Sequence, residues 1–324
     1  MNKYEITRNA LFGQAVGDAF GVPVEFLSRV DVRKLNLTEM TGSDSKQPIN
    51  SRWGSLIPKG SWSDDTSMTV ASMASFIRNH GNPNYDDQMN QFVEWWDYSA
   101  YCCLTAPFGL GGNVGASMRR YALGIPALEC GGRQVMDNGN GALMRILPFS
   151  LYCIFNGLDV KTTAEVIGNG SAITHGHEIS KLCCFIWTEF LRALTLGLGV
   201  DGAIARIENL PYQLLFSTDV IRAVPFVTEK KVRKLKETDI KETGYVVDSL
   251  YAALYSMMHG HDYESCIRTA VNLGYDTDTN AAITGTAAGI LYGEAPKRWL
   301  AALRGKTLLE STAKAFAKCF PALG

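Results

Sequence analysis

The chain has 324 residues, 46% of them hydrophobic, and a formal net charge of −1. That length can bury a sizeable core in one domain over residues 1–324, and the even charge argues against a nucleic-acid binder held mainly by phosphate contacts. The longest apolar run, Leu182 to Val200, is broken by Glu189 and Arg192, so it predicts a buried helix and no membrane span. In chain order, helical periodicity predicts helices over about residues 4–19, 65–79, 85–101, 114–123 and 142–155, the last kinked by Pro148. Further helices are expected over about 161–172, 178–198, 245–259, 263–273, 280–292 and 308–320. Alternating apolar and polar residues, the mark of strands, are scarce, and an all-α fold follows.

Between the helices lie segments of other character. Residues 29–59 read as a surface excursion, and their position just before a carboxylate cluster makes them a lid candidate. Residues 229–241 crowd Lys230, Lys231, Arg233, Lys234 and Lys236 together and read as a solvated connector. Glycine clusters at 109–115, 131–132 and 139–141 mark turns where backbone approaches something closely, with Gly111 and Gly112 as candidate substrate-binding positions. The eight cysteines include the pairs Cys102–Cys103 and Cys183–Cys184 among apolar residues, with no CxxC spacing. Buried free thiols in a reducing compartment are the expectation. The N-terminal stretch carries Arg8 and Asp18 and lacks a signal-peptide core, so a cytoplasmic location is expected.

Two short segments hold the informative chemistry. Ser63-Asp64-Asp65-Thr66 leads into one apolar helix, and Asp276-Thr277-Asp278-Thr279-Asn280 leads into another. Ser, Thr and Asp all cap helix N-termini, but a cap needs one such residue and each segment supplies four or five. That surplus, twice, points to metal. Glu25 follows a helix and a Gly/Pro turn and offers a third source of acid. If Glu25, Asp64, Asp65, Asp276 and Asp278 converge, five carboxylates need cations between them. Two divalent ions bring such a site close to neutrality, and oxygen ligands select hard ions such as Mg²⁺ or Mn²⁺.

Other readings of these residues fail on spacing. Asp276-x-Asp278-x-Asn280 opens like a calcium-binding EF-hand loop, but Ala281 replaces its glycine and Ala287 its bidentate glutamate. Asp64-Asp65 lacks the third aspartate of a terpene-synthase motif. His261-Asp262 lacks the upstream histidine of a helical phosphohydrolase. The tripeptides at His175–His177 and His259–His261 each lack a third zinc ligand. No glycine cluster fits a P-loop or a dinucleotide fingerprint.

In this order the motifs resemble the ADP-ribosylglycohydrolase family. The matching stretches are Gly13-Gln14-Ala15-Val16-Gly17-Asp18-Ala19 through Glu25, Trp62-Ser63-Asp64-Asp65-Thr66, and Asn138-Gly139-Asn140-Gly141-Ala142-Leu143-Met144-Arg145. Thr174-His175, Gly244-Tyr245-Val246-Val247 and Asn272-Leu273-Gly274-Tyr275-Asp276-Thr277-Asp278-Thr279 complete the set. The resemblance implies a compact, orthogonal all-α bundle and a dinuclear magnesium site gripping the distal ribose. Ser63, Asp64, Asp65, Asp276, Asp278 and Thr279 are carried over as ligands, and Glu25 as a candidate general base. Asn138, Gly139, Asn140, Gly141 and His175 match positions that hold the ribose–diphosphate part of the ligand. The amides of Gly139–Gly141, before a helix, suit a diphosphate. One stretch departs from the pattern: Gly109, in Pro107-Phe108-Gly109, stands where several relatives have an acid. The implied activity is removal of ADP-ribose from a protein or other conjugate, arginine-linked first, with serine and acetyl linkages as alternatives. A catalytically silent ADP-ribose binder, or a blocker of an ADP-ribosylating toxin or transferase acting through residues 29–59, are the competing readings.

Overall fold

The computed structural model describes residues 1–320, and they form sixteen α-helices joined by turns and short 3₁₀ segments. They are α1 Lys3–Gly21, α2 Arg29–Leu35, α3 Asp64–Arg78, α4 Tyr85–Tyr98, α5 Gly112–Ala122, α6 Leu147–Phe155, α7 Val160–Ala172 and α8 Glu178–Thr195. There follow α9 Gly199–Glu208, α10 Thr218–Arg222, α11 Pro225–Thr228, α12 Val246–His259, α13 Tyr263–Val271, α14 Thr277–Tyr292, α15 Lys297–Ala302 and α16 Lys306–Lys318. No strand forms among the described residues; two isolated bridges pair Gly132 with His175 and Gly139 with Tyr245. No helix among them is long and apolar enough to cross a membrane.

The centre of the molecule is the antiparallel pair α1 and α14, and glycine sets their distance. A Cβ on Gly13, Gly17 or Gly21 would lie 2.2, 2.1 or 2.4 Å from the carbonyl oxygens of Gly285, Ala281 and Thr277. One helix therefore lies backbone-to-backbone on the other, four residues per step. A hydroxyl ties the two helices, Thr277 Oγ1 donating to Gly21 O at 2.8 Å, and Tyr263 Oη of α13 fastens α1 by donating to Gly13 O at 2.6 Å. The consequence is functional. The exit of α1, which leads to Glu25, is pressed against the entry of α14, which begins at Asp276. From Thr277 through Ile290, α14 is buried on every side.

The run through α8 is a buried helix as the sequence reading holds, and its charges are paired. Glu189 is 0% exposed and takes hydrogen bonds from Arg192 Nε at 2.9 Å and Arg206 Nε at 2.7 Å. Its helix ends at Thr195, short of the expected 198, because Gly197 turns left-handed.

The 142–155 helix is corrected. Leu143–Arg145 is a 3₁₀ turn, and α6 starts only at Leu147 with Pro148 in its first turn. There the missing proline N–H has no partner to lose, so Pro148 starts a helix instead of kinking one. The lysines of 230–236 are exposed, while Val232, Leu235 and Ile240 anchor that connector in the core. The 29–59 excursion contains α2 and is tied down: Arg304 Nη2 binds Asp44 at 3.1 Å and Trp299 Nε1 donates to Thr38 O at 3.0 Å.

Candidate active site

Both acidic segments sit at helix mouths, but capping does not consume them. On α3, Ser63 is the cap residue, and the side chains of Asp64 and Asp65 stay free of that duty. Asp18, fully buried in α1, holds the segment in place. Its carboxylate accepts Ser63 N at 2.9 Å, Thr66 N at 3.1 Å and Thr66 Oγ1 at 2.6 Å. On α14, Asp276 occupies the cap position without making a capping bond. Its Oδ2 instead takes the Asn140 amide at 2.6 Å, and Asn140 also donates to Ser249 at 2.8 Å. The two segments meet through Asp65, whose Oδ2 accepts from Ser63 Oγ at 3.1 Å and Thr279 Oγ1 at 3.4 Å.

Glu25 joins them from the end of α1. Oxygens of Glu25, Asp276 and Asp278 all lie within 4.8 Å of one another. Phe26 and Tyr275, the neighbours of Glu25 and Asp276, both hold positive φ (67° and 61°). They are fastened by Phe26 N to Tyr275 O at 2.6 Å and Tyr275 N to Leu27 O at 2.7 Å. These short bonds carry Glu25 and Asp276 into one corner. The Trp53 indole, from the 29–59 excursion, donates to Glu25 Oε2. The excursion thus touches the site through Glu25.

Charge makes this corner unstable by itself. Burial and the neighbouring Asp276 and Asp64 push Glu25 up to about 8, against the pull of Trp53 and Arg52. Burial and Asp18 push Asp64 up to about 7. Asp65 and Asp278 are driven well above the carboxylate range by burial and by the other acids, and Asp276 is raised by burial. Asp65 Oδ1 is buried with no hydrogen-bond partner. Clustered carboxylates with an orphaned oxygen, all hard donors, fit divalent cations such as Mg²⁺ or Mn²⁺.

Around the acids opens a cavity of about 370 Å³. Glu25, Asp64, Asp65, Asp276, Asp278, Thr279, Gly111, Gly112, Gly139, Asn140, Gly141 and His175 all line it. Ser63 does not line it: its hydroxyl donates to Asp65 Oδ2 and accepts from Asp65 N. Asn138 does not reach this cavity: it lines a neighbouring one of about 260 Å³, and its side chain is engaged by Ser180 Oγ at 2.9 Å and Val135 O at 3.0 Å. Gly139 and Gly244 border both.

The chain matches the ADP-ribosylglycohydrolase family over residues 2–322. It belongs to that family. It is 29% identical over 296 residues to the ADP-ribosylarginine hydrolase Tri1 of Serratia proteamaculans, which spans 90% of this chain and 74% of that one. It is 27% identical over 302 residues to the ADP-ribosyl-[dinitrogen reductase] glycohydrolase of Rhodospirillum rubrum, covering 91% and 88%. A solved ADP-ribosylglycohydrolase-related protein complex superposes with a TM-score of 0.75 at 27% identity, over 99% of each chain.

Two details differ from the sequence reading of this ADP-ribosylglycohydrolase. Gly139–Gly141 does not open an α-helix, since a 3₁₀ turn intervenes before α6. A Cβ at Gly141 would meet His175 Cε1 at 2.9 Å, so packing against that ring already demands glycine there. Besides the mouths of α3 and α14, the N-terminus of α5, with Gly111 at the cap position, opens on the cavity, and side chains at Gly111 or Gly112 would meet only open space. At Gly109, φ is +93° and a Cβ would lie 2.2 Å from Asp64 Oδ1, so no acid fits in this backbone geometry.

Several residues of the site were not singled out from sequence. Trp53 and Asn140's partner Ser249 carry no motif signal of their own. Asp18 lies inside a matched motif, where its spacing to the acids was the available clue.

Proposed function

We propose that this chain is a metal-dependent hydrolase that releases ADP-ribose from a modified protein side chain, arginine in first place. The observation that carries the reading is the convergence of Glu25, Asp64, Asp65, Asp276 and Asp278 on one cavity bordered by glycine-rich backbone and His175. Ser63, Asp64, Asp65, Asp276, Asp278 and Thr279 would hold two divalent ions. When bound, such ions neutralise the acids and polarise the oxygens they touch. The names of the Serratia and Rhodospirillum relatives support an ADP-ribosylated protein as substrate, and the first of them supports arginine.

The chain's own groups divide the work. The N-terminus of α5 offers the positive end of a helix to the diphosphate, with no side chain at Gly111 or Gly112 to block the approach, while the Gly111 amide is already turned to the Asp64 carboxylate. Cleavage of the glycosidic bond builds positive charge on the ribose, which the carboxylates of Asp64 and Asp278 oppose. Trp53 occupies one oxygen of Glu25 and leaves the other to take a proton from the attacking water. With glycine at 109 there is no acid at that position to protonate the leaving group, and Glu25, having taken the proton from water, returns it to the leaving nitrogen.

The deciding experiment is release of ADP-ribose from arginine-, serine- and acetyl-linked substrates, with and without chelator. Release from the arginine linkage, lost with chelator and restored by Mg²⁺, is the expected result. Calorimetric binding of ADP-ribose without release from any linkage would instead make the chain a binder.

A further inference from the structure

We infer that Arg145 is a positioning residue that acts through Thr174 to hold His175 in the tautomer whose Nε2–H faces the cavity. Arg145 follows the Gly139–Gly141 turn and is 0% exposed. No carboxylate pairs with it among the described residues, and its Nε and Nη1 are buried without partners. The guanidinium lies 5.0 Å from the Phe92 ring centre, and its Nη2 donates to Gly170 O at 3.1 Å and Thr174 Oγ1 at 2.6 Å. A buried cation without a counter-ion is costly to keep, which calls for a task that a neutral side chain does not perform.

The task follows from proton counting. A guanidinium has donors only, so Thr174 Oγ1 must accept from Arg145. Its own single proton is then free for its other neighbour, His175 Nδ1, at 3.0 Å. Were Nδ1 protonated instead, the Thr174 oxygen would receive two donors, and its proton would face no acceptor among the described residues. Nδ1 therefore accepts, and the neutral ring carries its proton on Nε2. Burial and the Arg145 charge depress His175 to about 3, so the ring stays neutral.

The rest of the loop is pinned independently. His175 N donates to Ser171 O at 2.8 Å, Ser171 Oγ to His175 O at 2.8 Å, and Gly176 N to Gly132 O at 2.8 Å. Only the ring's rotation and tautomer are left for Thr174 to set. The Nε2 edge looks across the Gly139–Gly141 turn, where a Cβ at Gly139 would lie 3.4 Å away, and no described group bonds Nε2. The site thus keeps an uncharged N–H donor for an acceptor oxygen of the bound ligand, in the phosphate-ester or ribose part. A donor that does not titrate gives an affinity flat across neutral pH. This last step rests on the ADP-ribose reading; the tautomer does not.

The test uses the full chain labelled with ¹⁵N-histidine. The His175 signals, among five histidines, are assigned by their loss in His175→Gln. Long-range ¹H–¹⁵N correlation should show the Nε2–H tautomer, unchanged from pH 5 to 8. Thr174→Val keeps the side-chain shape without the hydroxyl and should erase that preference, whereas Thr174→Ser should retain it. Arg145→Met should act like Thr174→Val if it folds. ADP-ribose affinity should fall about tenfold or more in Thr174→Val, the usual worth of a hydrogen bond to a charged group, with helical signal and Mg²⁺ affinity kept. An Nδ1–H tautomer in the wild type, or an unchanged signature in Thr174→Val, overturns the inference. A wild-type protein with the stated tautomer but no affinity for ADP-ribose supports the relay and counts against the ADP-ribose reading.

Discussion

Gly109→Ala adds one methyl group and tests whether this turn exists to give Asp64 its place. The new Cβ would stand 2.2 Å from Asp64 Oδ1 and 3.0 Å from its Cγ. An ordinary carbon–oxygen contact of about 3.3 Å requires the carboxylate to retreat by roughly 1 Å. Two costs follow. Holding alanine at φ +93° costs about 1–3 kcal/mol, the usual price of such a backbone position. Spread over the unfolding entropy of a chain this long, that lowers Tm by about 1.5–4 °C. Catalysis should suffer far more, since a 1 Å misplacement in a site costs on the order of 10²-fold in rate. Thermal melts, Mg²⁺ titration by calorimetry and ADP-ribose release are the three assays. The expected pattern is a small loss in Tm with weakened Mg²⁺ binding and a turnover down about 10²-fold. Wild-type turnover and Mg²⁺ affinity in a folded Gly109→Ala protein would refute the link between this turn and Asp64.

Further predictions concern the acids and the helix pair. Asp278→Ala should abolish ADP-ribose release with the helical circular dichroism unchanged, and should raise the Tm of metal-free protein at pH 8 by removing one of the crowded charges; retained activity would sink its place as a ligand. Glu25→Gln should lower turnover by about 10²-fold or more, the worth of a general acid or base, with ADP-ribose affinity nearly kept; equal loss of both would assign Glu25 to holding metal. Metal-free protein should lose stability as pH rises. Glu25 and Asp64 have folded values of about 8 and about 7 against ordinary values of 4.5 and 3.8, so the folded state binds the extra protons. Their contribution is complete below pH 4 and lost as pH climbs through 7 to 8; melts from pH 4 to 9 should show this fall, and saturating Mg²⁺ should flatten it. Gly17→Ala drives a Cβ to 2.1 Å from Ala281 O and should destabilise by about 1–3 kcal/mol or more, as overpacking does, while weakening Mg²⁺ binding through the displaced α14 entry; an unchanged melt would show that the helices separate freely.

The helical class and the identity of the acids were legible in the sequence because each depends on local pattern. Apolar spacing marks a buried helix face whatever it packs on, and a surplus of aspartates at two helix entries exceeds what capping can use. Boundaries failed where one residue's role depends on its place in a turn, as with Pro148, which starts α6 instead of bending a longer helix. The short helices α2, α9, α10, α11 and α15, four to ten residues each, were missed because fewer than three turns hold few apolar positions to show a period. What only tertiary structure decided is which groups face each other. The Gly139–Gly141 turn leads into a 3₁₀ segment and packs against His175, and the N-terminus of α5 at Gly111 joins the same cavity, a neighbour no local pattern announces. Glu25 and Asp276 are about 250 residues apart in the chain, and no local rule brings them together. Their meeting depends on Gly13, Gly17 and Gly21 lying on Gly285, Ala281 and Thr277, a contact between two surfaces that sequence lists only one at a time.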